Sequence, residues 1–256
     1  MKLTHEEQAW LEGEGGDALE RAMEILVALG KIYGAKRLIP VASVQISGVS
    51  YRNLGSAGLD FLQRWADEGA RVRVPTTLNP AAMDLRDWQA QGFAPDFATK
   101  QHAVIDAFKR MGVGGGDPCP TCAPYLIGNL PALGEHVAWA ESSAVSYANS
   151  VLGARTNREG GPGAIAAALA GRTAAYGLHL DEKRRATLRV EVKTAPRVIP
   201  DYSALGAVVG KIARNRVPYF VGLPVQRGKP RWEEKLKALG AAMAATGAVA
   251  LYHVAD

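Results

Sequence analysis

Apolar residues recur every three to four positions over 17–29, where Leu19, Met23, Ile25, Leu26 and Leu29 form one stripe. That spacing predicts a helix, with Gly30 as its stop. Ahead of it, Thr4 followed by Glu7 reads as a capping box that opens a short first helix. The apolar run 37–44 has the character of a buried strand and leads into a polar loop over 45–55. A helix is predicted over 57–68. The alternation Arg71-Val72-Arg73-Val74 then predicts a strand over 71–75, followed by a loop at 76–80 and a helix over 97–111. Regular patterning returns late in the chain. It predicts a short helix at 164–169, a half-exposed strand at 187–193, a helix at 202–214, a strand at 217–222, a helix at 232–246 and a buried strand at 248–254.

Strands alternating with helices predict an α/β fold, layered α/β/α with a largely parallel sheet. Ligands of such sheets sit in the loops beyond the carboxyl ends of the strands. Over 112–163 the periodicity weakens and Gly, Pro, Ser, Thr and Asn dominate. Long irregular segments inside a compact domain are usually functional. Trp139, Tyr125 and Tyr147 within this one argue against disorder.

Composition narrows the function classes. The 256 residues are 48% hydrophobic and 21% charged, which excludes wholesale disorder. No apolar stretch approaches the roughly 18 residues of a membrane span, and the N-terminal segment lacks the apolar core of a signal peptide. The expectation is a cytoplasmic protein that neither crosses a membrane nor docks on one. The net charge of +5 permits an anionic partner. Basic residues are not interleaved with aromatics, and Lys183-Arg184-Arg185 stands beside Asp181 and Glu182. An anionic small molecule is therefore expected, and nucleic acid is not.

The chemistry-bearing residues fall in the irregular stretch. Cys119 and Cys122, the only cysteines, form a Cys-x-x-Cys. Metal binding, a redox dithiol and a pair of inert thiols are all open readings. A zinc site lacks its other ligands. Segments 134–144 and 147–162 bring together Glu141, Ser142, Arg155 and Asn157, a mixture suited to orienting a polar, anionic, hydroxylated substrate. Polar groups that only satisfy one another in a loop are the alternative.

Thr121-Cys122-Ala123-Pro124-Tyr125-Leu126-Ile127-Gly128-Asn129-Leu130-Pro131, Gly134-Glu135-His136 and Ala138-Trp139-Ala140-Glu141-Ser142-Ser143-Ala144 resemble the aconitase X family. So do Tyr147 to Val151, Gly153 to Pro162, Ile46 to Tyr51 and Thr77 to Pro80. The resemblance runs the length of the chain. It departs from the pattern at Ala123, where Thr is usual.

The resemblance implies the large subunit or domain of an iron–sulfur hydro-lyase that dehydrates a 3-hydroxy acid. The substrate expected first is (R)-5-phosphomevalonate, converted to trans-anhydromevalonate 5-phosphate, and cis-3-hydroxy-L-proline is the alternative. It implies Cys122 as a cluster ligand and Glu141 and Ser142 as substrate-contacting catalytic positions. Gly48, Val49, Ser50, Asn79 and Pro80 are implied to hold substrate. Arg155 and Asn157 lie in the signature and join the binding set by their chemistry. The implied cofactor is a [4Fe–4S] cluster, with [2Fe–2S] the alternative, completed by cysteines beyond these residues. The implied partner is a small swivelling-domain subunit, separate or fused, that brings the base. Residues 1–256 then correspond to the N-terminal part of the catalytic domain, with a sub-boundary near 163–200. Two other classes remain: an inactive binding or assembly fragment, and a redox module on Cys119 and Cys122.

Overall fold

The computed structural model describes residues 1–225 and 228–255. They divide into two compact units. The first is built from 1–130, 138–140 and 159–176, and the second from 131–137, 141–158 and 177–256. Both mix helices with short strands, as the predicted α/β class requires, but the strands form three small sheets rather than one.

The first unit opens with α1 (His5–Leu11). The Thr4 hydroxyl accepts from the Glu7 N–H at 3.2 Å, and the Glu7 carboxylate accepts from the Thr4 N–H at 2.9 Å, which completes the capping box. Helix α2 (Asp17–Ile32) buries Leu19, Met23 and Leu26. Gly30 does not end it. A Cβ there would lie 2.4 Å from the Met1 sulfur, so glycine serves close packing inside the helix.

The predicted strand over 37–44 is two strands, β1 (Leu38–Pro40) and β2 (Val44–Ile46). Helix α3 (Tyr51–Asp67) is a short turn over 51–54, capped by Ser50, and a longer helix beyond the non-helical Gly55, whose φ is +61°; the longer part is the helix predicted over 57–68. The strand predicted at 71–75 is instead β3 (Thr76–Leu78). Residues 71–74 are irregular chain with a bend at Arg73 and Val74, and their peptide groups are spent elsewhere: Val72 N–H donates to the Met111 carbonyl and Arg73 N–H to that of Ala168. Helix α4 (Pro95–Arg110) follows, then β4 (Ala138–Trp139), α6 (Gly161–Ala170) and β5 (Arg172–Ala174).

Strands β3, β2 and β4 form a parallel sheet in that order, and β1 pairs antiparallel with β5. Helix α6 is buried nearly all round. Its Ala-rich sequence has no polar face to reveal its length, which explains why only 164–169 reads as helix.

The second unit begins with α5 (Ser142–Tyr147), which runs into a π-helical turn over 148–152. Strands β6 (Leu188–Glu191), β7 (Pro218–Val221) and β8 (His253–Val254) form a second parallel sheet in the order β6-β7-β8. Only the end of the strand predicted at 248–254 joins this sheet. Val249, Leu251 and Tyr252 are buried as irregular chain, with the Tyr252 hydroxyl donating to the Leu236 carbonyl at 2.7 Å.

Helices α7 (Ile199–Ala213) and α8 (Trp232–Gly247) make the closest packing of the unit. A Cβ on Gly206 would fall 2.4 Å from the Leu239 carbonyl oxygen, and one on Gly247 would fall 1.8 Å from that of Gly210. These glycines let the two backbones touch.

Gly247→Ala should therefore force α7 and α8 apart and destabilise the protein by about 1–3 kcal/mol, the usual cost of overpacking. The neighbouring Ala248 caps α8 with φ at +57°, a left-handed conformation that glycine adopts without a Cβ clash. Ala248→Gly should stabilise by up to about 1 kcal/mol. Paired urea or thermal unfolding curves check both; a neutral Gly247→Ala would show that the helices have room.

Candidate active site

The first unit gathers one set of candidate residues at the carboxyl ends of β2 and β3, where parallel sheets place their ligands. After Ile46 the chain turns through Gly48, whose φ is +77°, and enters α3 at Ser50. Gly48 is exposed, Ser50 half-buried and Val49 buried, so Val49 presents backbone rather than side chain. Gln101, fully buried on α4, fixes this turn: its Oε1 accepts from Tyr51 N–H at 2.9 Å and its Nε2 donates to the Val49 carbonyl at 3.0 Å. The N–H groups of Gly48, Val49 and Ser50 donate to no backbone carbonyl among the described residues. At a turn opened by the positive-φ Gly48 they form a setting suited to an anion.

After β3, the Asn79 N–H donates to the Ile46 carbonyl at 2.8 Å, which brings the Asn79-Pro80 loop beside the Gly48 turn. The Asn79 Oδ1 is shielded from solvent without a hydrogen-bond partner among the described residues, and Pro80 is exposed.

The cysteine loop is moored to the same strand ends. Thr121 N–H donates to the Leu78 carbonyl at 2.8 Å, and the buried Gln45 Nε2 donates to the Thr121 carbonyl at 3.2 Å. Asn129, also buried, donates through Nδ2 to the Val44 carbonyl and the Thr77 hydroxyl. Cys122 therefore stands one residue from a peptide pinned to both β2 and β3. Its thiol and that of Cys119 are free and exposed.

A 3-10 turn over 124–127 follows the pair rather than the N-terminus of an α-helix, which is the setting of a thioredoxin-like dithiol. An exposed, soft thiol in irregular chain fits a cluster ligand. Two thiols are fewer than a cluster takes, and the described residues contain no group of three His, Cys, Asp or Glu able to hold a metal ion. A cluster bound at Cys122 would draw its remaining ligands from outside these residues.

The other candidates belong to the second unit. Glu141 caps α5, accepting from Ala144 N–H and the Ser143 hydroxyl, each at 2.6 Å, and from the Ser142 hydroxyl at 3.3 Å. Glu141 and Ser142 are thus brought together, half-buried, with the capping role layered on any contact to substrate.

Arg155 donates through Nη1 to the His179 carbonyl at 3.2 Å and pairs through Nη2 with Asp181. The buried Asn157 accepts the Leu178 N–H on Oδ1 at 2.8 Å. Both side chains are engaged within their own unit.

Three features of the site region escape sequence reading. Glu159 is buried, its N–H donating to the Trp139 carbonyl at the end of β4. Burial pushes its carboxyl up to about 7 against one opposing bond, to Thr173, and Oε1 has no partner among the described residues. His136 and His179 meet Nδ1 to Nδ1 at 3.0 Å. Burial first, then the charges of His136, Arg184 and Arg155, hold His179 down to about 3. Arg184 is the third. The polar letters of all three suggest surface; burial is what gives them their chemistry, and no local pattern carries it.

Because the folded state raises Glu159, its stabilising contribution is complete below the ordinary carboxyl range near 4.5 and is lost as pH rises through about 7. Glu159→Gln should remove that slope, making the variant more stable than the parent above pH 7 by up to about 3 kcal/mol. Denaturant unfolding at pH 5 and pH 8 measures it; parallel pH slopes for parent and variant would show an ionised Glu159 throughout.

Comparison with known proteins matches the same regions. Residues 1–182 fit the family model described as aconitase X first domain, and 186–256 fit the aconitase X second domain. The chain is 56% identical to the phosphomevalonate dehydratase large subunit of Methanothermobacter thermautotrophicus over 98% of this chain and 61% of that protein. It is 40% identical to the cis-3-hydroxy-L-proline dehydratase of Pseudomonas aeruginosa, over 99% of this chain and 42% of that one. The crystal structure of Thermococcus kodakaraensis aconitase X in its holo-form superposes with a TM-score of 0.89 at 53% identity, covering 99% of this chain and 61% of that chain. The chain thus spans about three-fifths of the length of its large-subunit relatives. On two family models that together account for nearly every residue, this chain belongs to the aconitase X family.

Proposed function

We propose that this chain is the N-terminal part of the catalytic domain of a hydro-lyase that removes water from a 3-hydroxy acid, with a sub-boundary near 163–200. The observation that carries the reading is the convergence of the Gly48–Ser50 turn, the Asn79-Pro80 loop and the moored Cys122 at one edge of the parallel sheet. The preferred substrate is (R)-5-phosphomevalonate, giving trans-anhydromevalonate 5-phosphate. Four large subunits named for phosphomevalonate match at 53–56% identity and a fifth at 40%, against 39–40% for the cis-3-hydroxy-L-proline enzymes, and the four support the phosphomevalonate reading. Action on the hydroxyproline is the second reading. An assembly fragment without activity of its own is the outcome if nothing completes the site.

Each residue has a derivable task. The N–H groups of Gly48 to Ser50 hold the anionic end of the substrate. Asn79 uses its unpartnered Oδ1 to accept from a substrate hydroxyl. Ser142 donates to Glu141, which leaves the hydroxyl oxygen to accept from the substrate, while Glu141 orients it. Arg155 and Asn157 complete the binding set. Cys122 would hold an iron–sulfur cluster, [4Fe–4S] or [2Fe–2S], together with thiolates from the rest of the large subunit. A bound cluster supplies Lewis-acid polarisation of the leaving hydroxyl. A small partner subunit, separate or fused, brings the base that takes the proton from the adjacent carbon.

In the completed enzyme, Cys122→Ser should abolish dehydration and lower the iron count, while Cys119→Ser keeps a substantial part of both. Iron and sulfide analysis with a coupled assay of 5-phosphomevalonate and of cis-3-hydroxyproline reads the outcome. Equal losses from the two substitutions would favour a paired-thiol function instead. Glu141→Gln should slow turnover by about 10²-fold or more if its charge serves proton handling. Glu141→Ala should in addition cost about 1 kcal/mol of stability as the cap of α5 is lost. Normal turnover in Glu141→Gln would reduce this residue to its capping role.

A further inference from the structure

We propose that Arg184 is a positioning residue of this enzyme, holding in register the turn that carries Arg155 and Asn157. The inference rests on the dehydratase reading above and extends it to a residue outside the binding set.

Arg184 follows a 3-10 turn over 181–183 and turns its guanidinium inward. Nη1 donates to the Asn149 Oδ1 at 2.9 Å and to the Leu178 carbonyl at 3.1 Å. Nη2 donates to the Asn149 carbonyl at 3.1 Å and the Ala154 carbonyl at 3.0 Å. These acceptors are neutral oxygens; the nearest carboxylate, Asp181, pairs with Arg155. Burial, and then the charge of Arg155, lowers Arg184 to about 10. It stays a cation at neutral pH, held by dipoles.

Asn149 lies in the π-helical turn, and its side chain brackets Thr156: Oδ1 accepts the Thr156 N–H at 3.1 Å and Nδ2 donates to the Thr156 carbonyl at 2.9 Å. Nδ2 also donates to the Ala250 carbonyl. With Oδ1 accepting from both Arg184 and Thr156, the amide has one orientation. Thr156 stands between Arg155 and Asn157. The fourth acceptor, Leu178, donates its own N–H to the Asn157 Oδ1. A single planar fork thus fixes the residue between the two candidate binding side chains, the start of their turn at Ala154, and the peptide that holds one of them. A lysine, with one ammonium, does not span these oxygens. The Arg184 carbonyl accepts from His253 Nε2 at 2.7 Å, anchoring the fork to β8.

The test is a double-mutant cycle on the completed enzyme, with Arg184→Lys, Asn157→Ala and the pair, read in kcat, KM, iron content and thermal midpoint. Arg184→Lys should lower kcat/KM by roughly ten- to a hundredfold, mostly through KM, with iron content unchanged. In the Asn157→Ala background its effect should shrink, because one of the two groups it positions is gone. A lower thermal midpoint with normal kinetics per folded enzyme, or effects that simply multiply, would overturn the proposal. If Arg184→Lys does not assemble, Asn149→Asp takes its place. It keeps both acceptor bonds and loses the donors to Thr156 and Ala250, so it should give the same KM-led loss, and a normal KM would overturn the proposal equally. A parent enzyme that dehydrates neither 5-phosphomevalonate nor cis-3-hydroxyproline sinks the dehydratase reading and this inference with it. An active parent with kinetically normal variants sinks only the latter.

Discussion

Irregular backbone buried away from water must find partners for its peptide groups, because each orphaned donor or acceptor costs about 1–3 kcal/mol. Here side-chain carboxamides meet that demand. Gln45 and Asn129 moor the cysteine loop, Gln101 closes the turn into α3, and Asn149 brackets Thr156. An amide both donates and accepts, so one side chain replaces a whole ladder rung where no strand is available. All four are buried. The loops beyond the strand ends are therefore held as firmly as the strands, which is what preorganised binding of a small anion requires.

The sequence makes some of this legible. Thr4 and Glu7 announce their capping box, and the stripes of α2, α4, α7 and α8 place those helices to within a few residues. The misses have separate causes. Arg71 to Val74 alternates like a strand, yet it bends and its hydrogen bonds run to the ends of α4 and α6. The first turn of α3, over 51–54, stands ahead of the non-helical Gly55 and so lies outside the apolar stripe that marks the rest. Helix α6 has no exposed face and hence no moment to detect. Among the site residues, Cys122, Gly48 and Asn79 stand out through a family likeness and their loops. The carboxamides and Arg184 do not, because a Gln or an Arg reads as surface until packing is known.

The two units carry opposite responses to acid. Glu159 in the first is costly to ionise, so neutral and alkaline pH work against it. His179 in the second is costly to protonate: its contribution is complete above about 6.5 and is lost as pH falls toward about 3. Both penalties come first from dehydration, and at His179 the charges of His136, Arg184 and Arg155 add to it. Each marks a place where polar chemistry is kept in a dry setting at a cost in stability.

The division of the chain between its units bears on how the protein is made. The polypeptide passes from one unit to the other after residues 130, 137, 140, 158 and 176. Strand β1 at Leu38–Pro40 has its partner in β5, at Arg172–Ala174. Ribosomes add roughly 5–20 residues per second. The apolar faces of β1 and α2 therefore emerge many seconds before the segment that covers them. The first unit therefore closes only after α6 and β5 have been made, late in the order of synthesis.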